Sequence, residues 1–148
     1  MTIFEALRED HDIQRDLASR LIETQGDSDT RQALFDDIKL ELAAHAAAEE
    51  RYFYIPLMKH DATQEKSRHS VAEHHELDEL VEKLEETDMS SPGWLVAAKE
   101  LAHRLTHHLD EEEHEVFQMA GKVLSDSQKT SLAEDYRGEM QARHETTA

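Results

Sequence analysis

Two segments of this chain carry the same chemistry at the same spacing. His45-Ala46-Ala47-Ala48-Glu49 lies in the first half and His108-Leu109-Asp110-Glu111-Glu112 in the second. On an α-helix, residues four apart stack on one face, a single turn from each other. Each segment therefore presents an imidazole nitrogen beside a carboxylate oxygen, and both are good ligands for iron, manganese or zinc. Two such pairs facing each other across a helical bundle would hold a dinuclear metal centre.

The elements that must position them read as five helices and no strands. Helix one runs by its apolar periodicity from about Ile3 to Gln25, opened by a Thr2/Glu5 capping box and stopped by Gly26. Helix two runs from about Thr30 to Met58 with Ser28 or Asp29 as its cap. Helix three begins near Thr63 and fades by Asp88. Ser91 and Pro92 open helix four, which continues to about Val123. Ser125 and Gln128 form a second capping box for a shorter helix five ending near Arg143, beyond which the tail from His144 to Ala148 should fray. The fold class expected is all-α: an up-down-up-down four-helix bundle over about residues 3–123, with the last helix, about 126–143, packed on it. The 148 residues form one domain in this reading.

Composition narrows the function. The formal net charge of -18 repels nucleic acid and anionic membranes and attracts cations. The absence of cysteine excludes disulfides, iron–sulfur clusters and thiol catalysis. No apolar run approaches the length of a membrane span, and the opening Met1-Thr2-Ile3-Phe4-Glu5 lacks a signal core, so the expected location is cytoplasmic. Acidic residues on helix exteriors need no special role, but the 11 histidines do, because several interrupt apolar stripes.

Helical phase sorts these histidines. His11 shares its face with Leu7, Ala18, Leu21 and Ile22, and His45 with Leu34, Ile38, Leu42, Glu49 and Tyr52. Of the pair His74 and His75, His74 lies with Val71, Leu77, Val81 and Leu84, whereas His75 lies with Asp78, Glu79 and Glu82. Of His107 and His108, His108 lies with Leu101, Leu105, Glu112 and Met119. Each of four helices thus turns one histidine inward, and two add a glutamate. A lone inward histidine is satisfied by a backbone carbonyl. Two unpaired carboxylates in a dry core would cost roughly several kcal/mol each, which a metal pair offsets. The expected ligands are His11, His45, Glu49, His74, His108 and Glu112. Glu50, Asp78 and Glu113 are candidates to orient the imidazoles. His103 and His107 stand one turn apart on a polar face and could take up zinc but read as solvated, and His60, His69, His114 and His144 receive no role.

The sequence resembles the hemerythrin-like, or HHE cation-binding, family of four-helix bundles. His11-Asp12, His45-x-x-x-Glu49-Glu50 with Tyr54-Ile55-Pro56, Glu73-His74, and His108-x-x-x-Glu112-Glu113 with Phe117 match its four motifs in order over about residues 5 to 120. The resemblance implies two non-haem iron ions with bridging carboxylates and an oxo or hydroxo bridge. Ferritin-like di-iron bundles are less similar, since they use Glu-x-x-His on two helices, and here Glu100-x-x-His103 and Glu111-x-x-His114 both fall on the polar side of helix four.

Two departures bear on function. Oxygen-carrying hemerythrins place two histidines one turn apart on helix three; here the turn-neighbours of His74 are Ser70 and Asp78, so one iron is expected to lack an imidazole. An extra residue also separates Tyr54 from Pro56. On an ideal helix, nine steps of about 100° put Tyr54 opposite His45. An inserted residue beside a proline suggests a π-bulge, which would swing the phenol toward the metal face as a possible further ligand. Tyr52 needs no bulge but sits farther along. The function expected is reaction with small oxygen or nitrogen species, foremost the disproportionation of hydrogen peroxide by an oxidoreductase resembling a haem-free catalase. The alternative is an oxygen, nitric oxide or iron binding, sensing or storage module without turnover. A third reading is a metal-free helical interaction protein.

Overall fold

The computed structural model describes residues 1–147, with side chains to residue 145. Among them there are five helices and no strand. The first, α1, spans Ile3–Leu21. The second, α2, spans Asp29–Glu49, continues through a π-helical turn, Glu50–Tyr54, and closes with Ile55–Leu57. Helix α3 is Asp61–Glu86. Helix α4 is Pro92–Glu111, a second π-helical turn, Glu112–Val116, and Phe117–Val123. The last, α5, is Asp126–Thr147.

Local chemistry explains the ends. The Thr2 hydroxyl accepts from Glu5 N while the Glu5 carboxylate accepts from Thr2 N. Ser28 rather than Asp29 caps α2, its hydroxyl accepting from Arg31 N. The Ser125/Gln128 pair caps α5 reciprocally. Helix α1 stops at Leu21, a turn before the sequence pattern fades, because Ile22 and Thr24 are already in the turn that Gly26 completes at φ 58. Arg31 locks that end of the bundle. Its guanidinium donates to Thr24 O and Met89 O and lies over the Trp94 ring.

Short connections make α1 to α4 run up and down, and α5 lies along α1 and α2. The fifth helix is longer than its periodicity predicts, reaching Thr147; Ala148 lies outside the described residues. The core divides in two. One apolar cluster, with Leu21, Phe35, Ile38, Trp94 and Leu101, fills the end nearest Arg31. The other, with Ile3, Leu7, Phe53, Leu57, Phe117 and Tyr136, fills the opposite end under α5. Between them lies a buried polar layer, to which α1 gives His11, α2 His45 and Glu49, α3 His74, and α4 His108 and Glu112.

Candidate metal centre

The six side chains that helical phase turned inward meet in this layer, each at most 5% exposed. Glu49 lies at its middle. His74 Nε2 is 3.0 Å and His45 Nε2 3.3 Å from Glu49 Oε1, and His11 Nε2 is 3.6 Å from Glu49 Oε2. Glu112 Oε1 is 3.5 Å from His11 Nε2, and Glu112 Oε2 is 3.4 Å from His108 Nε2. The donor atoms form two groups that share Glu49: Glu49, His74, His108 and Glu112 in one, and His11, His45 and Glu49 in the other. All four Nε2 atoms, both Glu49 oxygens and Glu112 Oε1 are buried without a hydrogen bond. Such orphaned atoms are costly in a dry core. Their spacing suits a shared metal, since atoms bonded to one ion at about 2.0–2.2 Å stand roughly 3–3.5 Å apart. The donor set of four imidazoles and two carboxylates fits a pair of first-row transition metals. The imidazoles divide two and two between the groups.

The opposite edge of each imidazole faces outward to a partner. His11 Nδ1 is 2.7 Å from Glu113 Oε2, which Arg15 also contacts at 3.0 Å. His108 Nδ1 is 2.8 Å from Glu73 Oε1, and His45 Nδ1 is 2.6 Å from the Tyr136 hydroxyl. His74 Nδ1 looks toward Glu50 Oε2 at 3.5 Å. The three hydrogen bonds, to His11, His45 and His108, orient those imidazoles and select the tautomer that leaves Nε2 free. Glu50 stands near His74 Nδ1 without hydrogen-bonding it, and Glu113 bonds His11 as expected. Asp78 does not: it is exposed, and among the described residues it holds none of the imidazoles, a role taken by Glu73. Glu73 belongs to the Glu73-His74 motif, but its partner is on α4, a pairing that spacing along one helix does not contain. Tyr136 carried no sequence signal at all.

Electrostatics follow from crowding. Burial raises the pKa of both central carboxylates; the imidazoles and Glu112 outweigh it for Glu49, which is held well below the ordinary value, and the Glu49 charge adds to it for Glu112, which is pushed well above. Burial alone would lower His74, but Glu49 and Glu50 raise it to about 9. Burial would raise Glu113, yet His11 and Arg15 bring it down to about 2.

The expected π-bulge before Tyr54 is present, and a second, which the sequence reading did not foresee, occupies the equivalent place on α4. The first begins directly after the inward Glu49 and the second at the inward Glu112. The wider turn carries Tyr54 round to the buried side, where it is fully enclosed and its hydroxyl donates to Glu112 Oε2. Ser70, one turn before His74, faces the same phenol. Tyr54 thus occupies the neighbourhood left by the histidine that α3 lacks. Burial, with the charges of Glu112 and Glu49, pushes its pKa well above the ordinary value. Tyr52 is only partly buried, within the cluster under α5.

The remaining histidines sort as helical phase predicts: His75 and His107 are exposed. Sequence reasoning missed Gln14, one turn after His11. It is fully buried, neither amide atom has a partner, and it lines a small cavity with His45, His74 and His108. Leu42, Leu77 and Leu105 make the apolar wall, and exposed Asp78 stands at its edge.

Fold and site together define a helical bundle with a buried histidine–carboxylate cluster suited to metal. The family model for the hemerythrin HHE cation binding domain matches residues 2–120, and the chain belongs to that family. A similar solved structure is the crystal structure of a hemerythrin HHE cation binding domain-containing protein from Mycobacterium kansasii. It is 26% identical, with a TM-score of 0.89 over 99% of this chain and 89% of that one. No curated protein matches. No helix among the described residues is long and apolar enough to cross a membrane.

Proposed function

We propose that the chain is a non-haem di-iron protein that disproportionates hydrogen peroxide, two molecules giving two of water and one of dioxygen. The observation that carries the metal reading is the pair of buried donor groups sharing Glu49, with every inward imidazole nitrogen free of a hydrogen bond. The proposed ligands are His11, His45, Glu49, His74, His108 and Glu112, with Tyr54 at the edge of the set. Iron held by these residues would supply one-electron redox chemistry toward a small ligand.

The chain's own residues favour peroxide. The Gln14 amide offers both a donor and an acceptor to the cavity, and neither is used within the protein. Hydrogen peroxide both donates and accepts, whereas dioxygen and nitric oxide only accept. The Tyr54 hydroxyl keeps a proton against Glu112 at the edge of the donor set. The three-leucine wall supports a second reading, stoichiometric binding of an apolar diatomic molecule without turnover.

Elemental analysis after expression with ample iron, followed by an oxygen electrode trace on adding peroxide, tests both parts. The expected result is close to two irons per chain and one dioxygen for every two peroxides over many turnovers. Iron near zero would overturn the metal centre. Two irons with no dioxygen released would move the function to the binding module.

A further inference from the structure

The same ligand chemistry recurs on the surface between α3 and α4. His69 and Glu73 stand one turn apart on α3, and His107 and Glu111 one turn apart on α4. His69 Nε2 is 3.6 Å from Glu73 Oε2 and 3.5 Å from Glu111 Oε1, and His107 Nε2 is 3.3 Å from Glu111 Oε2. These spacings exceed the 2.7 and 2.8 Å of the His11–Glu113 and His108–Glu73 hydrogen bonds. They match instead the 3.3–3.6 Å that separates most imidazole nitrogens from carboxylate oxygens in the buried groups. One donor atom each from His69, Glu73 and Glu111 lies within 4.8 Å of the others. The two imidazoles are open to solvent, at 59% and 68% exposure.

We propose that His69, Glu73 and Glu111 form a surface site for one divalent first-row transition-metal ion, distinct from the buried centre and joined to it through Glu73, with His107 standing against Glu111 beside it. An imidazole and two carboxylates, with open positions left to water, suit zinc or ferrous iron; calcium and magnesium take oxygen ligands instead. The net charge of -18 concentrates cations at such a surface. Glu73 makes the connection, because Oε2 faces the surface cluster while Oε1 holds His108 Nδ1. A cation on Oε2 withdraws charge from the carboxylate that orients His108, so it weakens the electron donation of that imidazole toward the interior. Occupancy of the surface is thereby felt at the buried layer. The site itself stands without the di-iron reading, on which only its effect on the centre rests.

The test is calorimetric titration of the iron-loaded full-length protein with zinc chloride. Wild type is expected to take up one more zinc per chain than His69→Ala, in which that ion binds at least tenfold more weakly. His103→Ala, at an exposed position one turn before His107, is expected to bind like wild type. Zinc saturation should also shift the ferric absorption of wild type and leave that of His69→Ala unchanged. Equal zinc uptake by wild type and His69→Ala would overturn the site. So would loss of the ion in His103→Ala with retention in His69→Ala, which places it on α4 alone. An unmoved wild-type spectrum at zinc saturation would overturn the coupling. Iron content measured on the same samples reports separately on the buried centre, so failure there is distinguished from failure here. The exposed positions substituted keep folding out of the comparison.

Discussion

The Tyr136 hydroxyl joins His45 to Asp10, lying 2.6 Å from His45 Nδ1 and donating to Asp10 Oδ2 at 2.5 Å. Because the phenolic proton goes to Asp10, the phenol oxygen accepts from Nδ1–H, and His45 Nε2 is left as a lone pair facing the centre. A residue of the fifth helix thus sets the tautomer of an imidazole on the second.

Tyr136→Phe tests that relationship. The variant keeps the buried ring but leaves Nδ1–H of His45 without an acceptor. Metal affinity is expected to fall about 10–100-fold in chelator competition. Stability is expected to fall by about 1–3 kcal/mol in denaturant titrations of the metal-free protein. An unchanged competition curve would reduce Tyr136 to a core filler.

Tyr54→Phe removes only the hydroxyl that donates to Glu112. If the phenol ligates ferric iron or steers Glu112, the variant stays folded, loses or shifts its visible absorption band, and turns over peroxide about tenfold more slowly, the worth of one hydrogen bond in the reacting state. Spectrum and turnover both unaltered would make the phenol structural.

Gln14→Leu should move stability and activity in opposite directions. The amide is buried with neither end paired, so an apolar side chain of similar size is expected to stabilise the fold by about 1–2 kcal/mol. Peroxide turnover is expected to fall about tenfold because the donor and acceptor offered to the cavity are gone. Activity equal to wild type would show that Gln14 does not meet the substrate.

Metal uptake at neutral pH should release protons. Without metal, His74 is raised to about 9 by Glu49 and Glu50 against the lowering effect of burial, so it is protonated at pH 7. A metal requires the neutral ring. For the metal-free fold the sign is that of a raised group: its stabilisation is complete below the ordinary 6.5 and is lost as pH rises through about 9. Apparent metal affinity should therefore increase with pH up to about 9. Calorimetry in buffers of different ionisation enthalpy reads the protons directly; buffer-independent heats would contradict the assignment.

Chelation should also lower the melting temperature, by about 10 °C for each ion present at about a thousand times its dissociation constant. The cause is Glu49 and Glu112, at 0% and 1% exposure, left facing each other in the core. His74→Ala and His108→Ala should lose iron, while His75→Ala, at an exposed neighbouring position, should keep it. Coincident melts with and without chelator would mean that the carboxylates need no counter-charge.

The periodicity of the sequence by itself determined the helices and which side of each is buried. A 3.6-residue period is a local property, so it separated His74 from His75 and His108 from His107 without knowledge of any neighbour. It also placed the two glutamates inward, and a residue inserted before Pro56 announced the π turn that aims Tyr54. What it could not contain were contacts made by side chains from different helices. Glu73 reaches across to His108, Tyr136 returns from α5 to His45, and Gln14 closes a cavity whose other walls come from α2, α3 and α4. The extent of α5 was likewise understated, since its ordering depends on the bundle beneath it and not on its own weak apolar stripe. Which atoms stand within 4 Å of one another is decided by how helices cross and how deeply they interlock. That is why the buried histidine–carboxylate set was legible in the chain while the groups packed around it emerged only in three dimensions.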